Sequence, residues 1–184
     1  IVFSPGVVTA LNLLVQAFTQ PGDKIIVQSP VYFPFFWAVE RQDRQLLNNR
    51  LLENENTYSI DFEGLEAMLR SGAKMLILCS PHNPVGRAWS REELERTGKL
   101  CVENGVLIVS DEIHGDLVLP GRRHLPLASL SQDLLSNTIT CIAPSKTFNV
   151  AGLHTSNIII PNPELRDAFR KTLRGTGLGG INPF

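Results

Sequence analysis

Apolar positions along this chain fall into two rhythms. Short segments of four to six residues with apolar centres predict β-strands at Lys24 to Gln28, Gln45 to Asn48, Lys74 to Cys79, Val106 to Ser110, Thr138 to Ala143 and Thr155 to Ile160. These runs are rich in Ile, Val and Leu without polar alternation, which predicts burial on both faces, as in a parallel sheet. Between them lie helix signals. Ser90 followed by Glu93 forms a capping box, opening a helix to about Asn104 with Leu94, Cys101 and Val102 on its apolar side, and Gly105 ends it. Asn162 as N-cap and Pro163 in the first turn open another, in which Leu165, Phe169 and Leu173 recur at four-residue steps. Gly6 to Thr19 and Asp61 to Arg70 are further predicted helices, and Gln20-Pro21-Gly22-Asp23 is a predicted turn.

Strands alternating with helices predict an α/β fold, a three-layer α/β/α sandwich around a mostly parallel sheet. The longest predicted connection, Leu119 to Ser136, carries prolines, Gly121 and the basic pair Arg122-Arg123, and is expected to run over the surface near a ligand. Right-handed crossovers bring the C-terminal ends of parallel strands to one edge, where ligands of open α/β sheets bind.

Composition narrows the picture. With 184 residues, 43% hydrophobic and 19% charged, the chain suits one globular domain or slightly more. A net charge of −1 and no basic block argue against nucleic acid or an anionic membrane as partner. No apolar run reaches the length of a membrane span, and no signal-peptide pattern is present. Cys79, Cys101 and Cys141 sit in apolar segments without metal-ligand spacing, so they read as buried small hydrophobes in a reducing, cytoplasmic setting, and no metal site is expected. Ile1 in place of methionine and a final stretch, Leu178 to Phe184, with neither closing helix nor polar tail lead us to expect an incomplete chain.

The polar residues that follow the predicted strands carry the chemistry. Lys146 closely follows the run Ile139 to Ala143, where an apolar setting would favour its neutral amine, the form that makes a Schiff base with a carbonyl cofactor. Asn83, in Ser80-Pro81-His82-Asn83-Pro84-Val85-Gly86, offers an amide donor to a phenolate oxygen; the bland alternative is a Pro/Gly turn. Asp111, after Val106 to Ser110, is placed to keep a pyridinium nitrogen protonated, an interaction of about 4 kcal/mol at ~3 to 4 Å and an effective dielectric near 20. His114 has a donor for the same oxygen as Asn83, or is simply structural. Tyr32 offers a ring for stacking, or belongs to the core. Ser145, with Gly6 and Val7 at the start of the first helix, offers donors for a phosphate. Together these match pyridoxal 5'-phosphate group by group.

With Asn83-Pro84-x-Gly86, Asp111 and Ser145-Lys146 in this order, 28 and then 35 positions apart, the sequence resembles the fold-type I, class I/II aminotransferase family of pyridoxal-phosphate enzymes. Ser-Asp-Glu-Ile-His and Ser-Lys-Thr-Phe-Asn-Val-Ala-Gly-Leu are similar to its MalY/PatB-type branch, the cystathionine β-lyase-like carbon–sulfur lyases. The resemblance implies Lys146 as catalytic residue and covalent anchor, with Gly6, Val7, Tyr32, Asn83, Asp111, His114 and Ser145 as cofactor contacts. The resemblance implies that most transaminases of the family carry tyrosine where this chain has His114, and a phosphate-binding arginine where it has His154, which is left outside the predicted site. It implies residues 1–184 as an incomplete large cofactor-binding domain, lacking an N-terminal segment and a C-terminal small domain that carries the substrate's arginine. The implied activity is β-elimination from a small sulfur amino acid to pyruvate, ammonia and a thiol, in a homodimeric full-length enzyme, the isolated chain being inactive. Transamination, or a truncated or regulatory domain without turnover, stands as the alternative.

Overall fold

A computed structural model describes residues 1–178, in the order β1 (Val2–Ser4), α1 (Val7–Phe18), β2 (Lys24–Val27), α2 (Pro34–Glu40), β3 (Gln45–Asn48), β4 (Leu52–Asn54), β5 (Thr57–Ser59), α3 (Phe62–Arg70), β6 (Met75–Cys79), α4 (Arg91–Glu103), β7 (Leu107–Asp111), α5 (Gln132–Asn137), β8 (Thr138–Ile142), α6 (Pro144–Thr147), β9 (Ser156–Ile159) and α7 (Pro163–Gly175). The expectation about the terminal stretch falls on residues 179–184, outside those described.

Seven strands form one sheet in the order β1-β9-β8-β7-β6-β2-β3. From β8 to β3 the strands are parallel, while β9 pairs antiparallel with both β8 and β1. Two antiparallel steps restore direction, so β1 points the same way as β8 and its C-terminal end reaches the same edge. The mostly parallel α/β prediction therefore holds, with a reversal at one side that strand composition did not reveal.

Alternation along β6, next to the middle of the sheet, makes the three layers. Met75, Ile77 and Cys79 of β6 join a core with α1, α2 and α7, whereas Leu76 and Leu78 join a second core with α3, α4 and α5. All five residues of β6 are buried. Phe35 and Phe169 are fully buried in the first core, each contributing roughly 1.5–3 kcal/mol over exposure.

The predicted helix signals are observed. Ser90 and Glu93 complete the capping box of α4, and Gly105 beyond its end has φ +64°. Asn162 accepts from the Glu164 and Leu165 amides at the start of α7, and the Asp61 side chain accepts from Gly64 N–H to cap α3.

Two expectations need correction. The Leu119–Ser136 connection is not wholly superficial: after Leu125 it dives back, burying Leu127 in a 3₁₀ turn (Leu127–Ser129) and Leu134 in α5, which Ser131 caps. Leu134 packs so closely on α4 that a Cβ at Gly98 would lie 2.4 Å from its Cδ2. The strand expected to run to Ala143 stops at Ile142, and Lys146 follows it in the one-turn helix α6, exposed to solvent in this chain. The described residues therefore do not supply the apolar surroundings expected around its amine.

Candidate active site

Parallel strand direction delivers three of the predicted loops to one edge. Register places Asp111 beside Cys79 on one neighbour and Cys141 on the other, so the carboxylate stands at the end of the central strand between the loops bearing Asn83 and Lys146. Backbone bonds stitch the strand ends together: Ser80 N–H donates to Asp111 O at 3.0 Å and Glu112 N–H to Cys141 O at 2.8 Å.

Asp111 is 5% exposed. Its Oδ1 accepts from Ile113 N–H at 3.1 Å, and no side-chain donor among the described residues reaches Oδ2. Burial pushes its carboxyl up to about 7, with the Ile113 amide opposing, the Glu112 charge adding and the Lys146 charge opposing. A buried acid with a free oxygen invites a cationic N–H donor. The flanking Cys79 and Cys141 thiols are also held well above their ordinary range, chiefly by burial, and cannot serve as thiolates near neutral pH.

Lys146 lies close enough for its charge to act on both Asp111 and His114, and it forms no ion pair within 4 Å among the described residues. His114 is half-buried, and burial together with the Lys146 charge lowers its imidazole pKa, so near pH 7 it is a neutral ring with one N–H to donate. Asn83 shares a cleft of about 740 Å³ with His114. Its carbonyl accepts Tyr32 N–H at 3.0 Å, which binds the aromatic loop to the asparagine loop. The Tyr32 ring, 39% exposed, tilts against Phe33 with centroids 5.3 Å apart. Asn83-Pro84, Ser80-Pro81 and Ser29-Pro30 in these loops are cis.

Gly6 opens α1 at the C-terminal end of β1, with φ +91°. No side chain caps this helix and its first turn holds no acidic residue, so the free N–H groups from Val7 onward and the helix dipole are available to an anion. Ser145 is half-buried in α6. Asn83 and His114 thus line one cleft, the Tyr32 backbone is bonded to Asn83, and the Lys146 charge reaches Asp111 and His114, while Gly6, Val7 and Ser145 share their edge of the sheet. His154 is exposed in a left-handed conformation at φ +45°, after a 3₁₀ turn (Ala151–Leu153).

Sequence reasoning missed three supporting residues. Glu112 is 4% exposed and accepts from Ser110 Oγ at 2.9 Å, Leu127 N–H at 3.1 Å and His124 Nε2 at 2.7 Å. With Nε2 protonated, buried His82 donates to Pro30 O at 2.9 Å, bracing the asparagine loop against the aromatic loop. Only the partner-seeking character of a buried acid pointed to Glu112, and no spacing pattern links Glu112 to His124.

The donor set fits pyridoxal 5'-phosphate on observations internal to the chain: a buried carboxylate with an open oxygen, an adjacent amine without a counterion, and an uncapped helix N-terminus.

The model of the family described as aminotransferase class I and II matches residues 1–177. The chain is 56% identical to cystathionine beta-lyase PatB of Bacillus subtilis over its whole length, covering 48% of that protein. It is 31% identical to protein MalY of Escherichia coli over 95% of the chain, covering 44% of that protein. Among solved structures it is similar to cystalysin from Treponema denticola, which contains a pyridoxal 5'-phosphate cofactor, with TM-score 0.94 and 45% identity over 96% of this chain and 45% of that one. The chain spans about half the length of the curated relatives it matches.

Proposed function

Because the chain belongs to the class I and II aminotransferase family, we propose that it is the cofactor-binding large domain of a pyridoxal-phosphate-dependent carbon–sulfur β-lyase. The observation that carries this reading is the buried Asp111 carboxylate with one open oxygen beside the unpaired Lys146 amine. Likeness to cystathionine beta-lyase PatB across the whole chain favours β-elimination over transamination.

When bound, the cofactor supplies an aldehyde that captures amines and a ring that accepts the electron pair released at a substrate's α-carbon. Asp111 would hold the proton on the ring nitrogen, which its burial suits, because a carboxylate short of partners gains most from one cation. Lys146 Nζ would be the amine that holds the aldehyde, and the same amine would serve as the base for the proton on a substrate's α-carbon. A positioned base of this kind contributes roughly 10² to 10⁴ in rate. Asn83 and the neutral His114 would supply donors for the phenolic oxygen, and Tyr32 would supply an aromatic surface for the ring. The α1 amides at Gly6 and Val7, together with Ser145, receive the phosphate. The net reaction takes L-cystathionine and water to pyruvate, ammonia and homocysteine: the bond between the β-carbon and sulfur breaks, and the thiol leaves with the bonding pair.

Within this proposal the active form is a homodimer, and the remaining substrate contacts come from outside residues 1–184. Exposed Phe33, Trp37 and Phe148 leave apolar surface for a second copy. A cytoplasmic setting is supported by the free, buried state of Cys79, Cys101 and Cys141.

The test is direct. Full-length enzyme with the cofactor should release pyruvate and thiol from cystathionine, and Lys146→Ala should abolish both that release and the visible absorbance of lysine-bound cofactor. Build-up of the amine form of the cofactor without thiol would show transamination instead.

A further inference from the structure

The cleft shared by Asn83 and His114 is also lined by Leu117, Val118, Leu119 and Arg122, none of which is among the residues proposed to hold the cofactor. No carboxylate lines this cleft, and it has two arginines. Arg87 is neutralised by a two-pronged pair with Glu93, both contacts at 2.9 Å. Arg122 has no ion pair or side-chain hydrogen bond among the described residues, so the uncompensated charge of the cleft is its guanidinium.

The backbone presenting Arg122 is built rather than loose. Leu119-Pro120-Gly121-Arg122 is a tight turn closed by Arg122 N–H donating to Leu119 O at 3.0 Å. Proline fixes φ at the second position and Gly121 takes φ +81° at the third, the type II pattern. Two residues on, His124 is clasped by Glu112 at 2.7 Å, the two side chains being 12% and 2% exposed. The His124 ring lies against Gly115, where a Cβ would stand 2.8 Å from its Cδ2. The turn is thereby tied to the strand end that carries Asp111.

Asn83 and His114 lie on the border between this cleft and the reacting centre, while Lys146 and Asp111 lie outside its lining. On the carbon–sulfur lyase reading, the cleft offers room for the group beyond the β-carbon of a substrate whose α-carbon reaches Lys146, that is, the substituent on sulfur. Resting on the carbon–sulfur lyase reading, we infer that Arg122 is a specificity residue selecting cysteine S-conjugates whose sulfur substituent ends in a carboxylate.

The experiment uses the cofactor-loaded full-length enzyme and two near-isosteric substrates, S-(2-carboxyethyl)-L-cysteine and its terminal amide, with pyruvate release as readout. The wild type should favour the acid in kcat/KM by about 5- to 10-fold at low salt, the range of a partly exposed to forked arginine–carboxylate contact. The preference should shrink as ionic strength rises. Arg122→Gln should bring the acid-to-amide ratio close to 1 by loss on the acid, and Arg122→Lys should keep part of it. A ratio that Arg122→Gln leaves unchanged, with both substrates turned over, overturns this inference and leaves the lyase reading intact. No pyruvate from either substrate overturns both.

Discussion

Asp111 gives a test of the site that needs no substrate. In cofactor-free protein, burial raises its carboxyl from 3.8 to about 7. A raised acid favours the folded state fully below pH 3.8, and that contribution is lost as pH climbs through about 7. The interval of about three pH units corresponds to roughly 4 kcal/mol at 1.36 kcal/mol per unit, with about 2–3 kcal/mol of it falling between pH 5 and pH 8. Asp111→Asn keeps the shape and an acceptor for Ile113 N–H but cannot ionise. Relative to wild type, the variant should therefore gain about 2–3 kcal/mol of stability on going from pH 5 to pH 8. Urea unfolding of both proteins at the two pH values reads the difference directly, and other titrating groups largely cancel in the comparison. A variant-minus-wild-type difference that stays flat with pH would show that Asp111 is not buried as described, removing the main support for a ring-nitrogen partner.

Two more outcomes test the frame around the site. Glu112→Ala strands Ser110 Oγ, Leu127 N–H and His124 in the interior, so a loss of about 3–5 kcal/mol is expected in denaturant unfolding; a loss below about 1 kcal/mol would mean that the clasp is dispensable. Gly98→Ala drives a methyl to 2.4 Å from Leu134 Cδ2, and overpacking should cost about 1–3 kcal/mol in the same assay, a neutral result indicating that α5 gives way easily.

The central sheet was legible because its strands are buried on both sides: β2, β6, β7 and β8 are short segments rich in Ile, Val and Leu or small buried residues, without polar residues on an exposed face. Helices with side-chain caps at Ser90, Asp61 and Asn162 were legible for a local reason, since the cap and its amide partners lie within three residues. Elements without a local signature were missed. β1 has three residues, β4 and β5 form a largely exposed hairpin with little apolar pattern, and α2 starts at Pro34 directly after an aromatic pair that resembles a loop. The capped helix α5 was passed over because the prolines before it marked the whole segment as connection.

The candidate site divides along the same line. Asp111 ends a strand and Asn83 and Lys146 each follow one closely, so strand order and direction suffice to bring them to one edge. Gly6 reaches that edge by another route, since β9 runs backwards and β1 is reversed again upon it, bringing the α1 N-terminus round only after two antiparallel pairings. That route depends on Ser4 meeting Ser156 across 152 positions, where Ser156 Oγ donates to Ser4 O at 3.0 Å. Contacts of this length leave no period in the sequence. The same holds for Glu112 and His124, whose partnership is fixed by how far the connection travels before it turns back. Chemistry attached to strand ends can therefore be read from a chain, whereas the residues that hold its walls in place become visible only once the chain is folded.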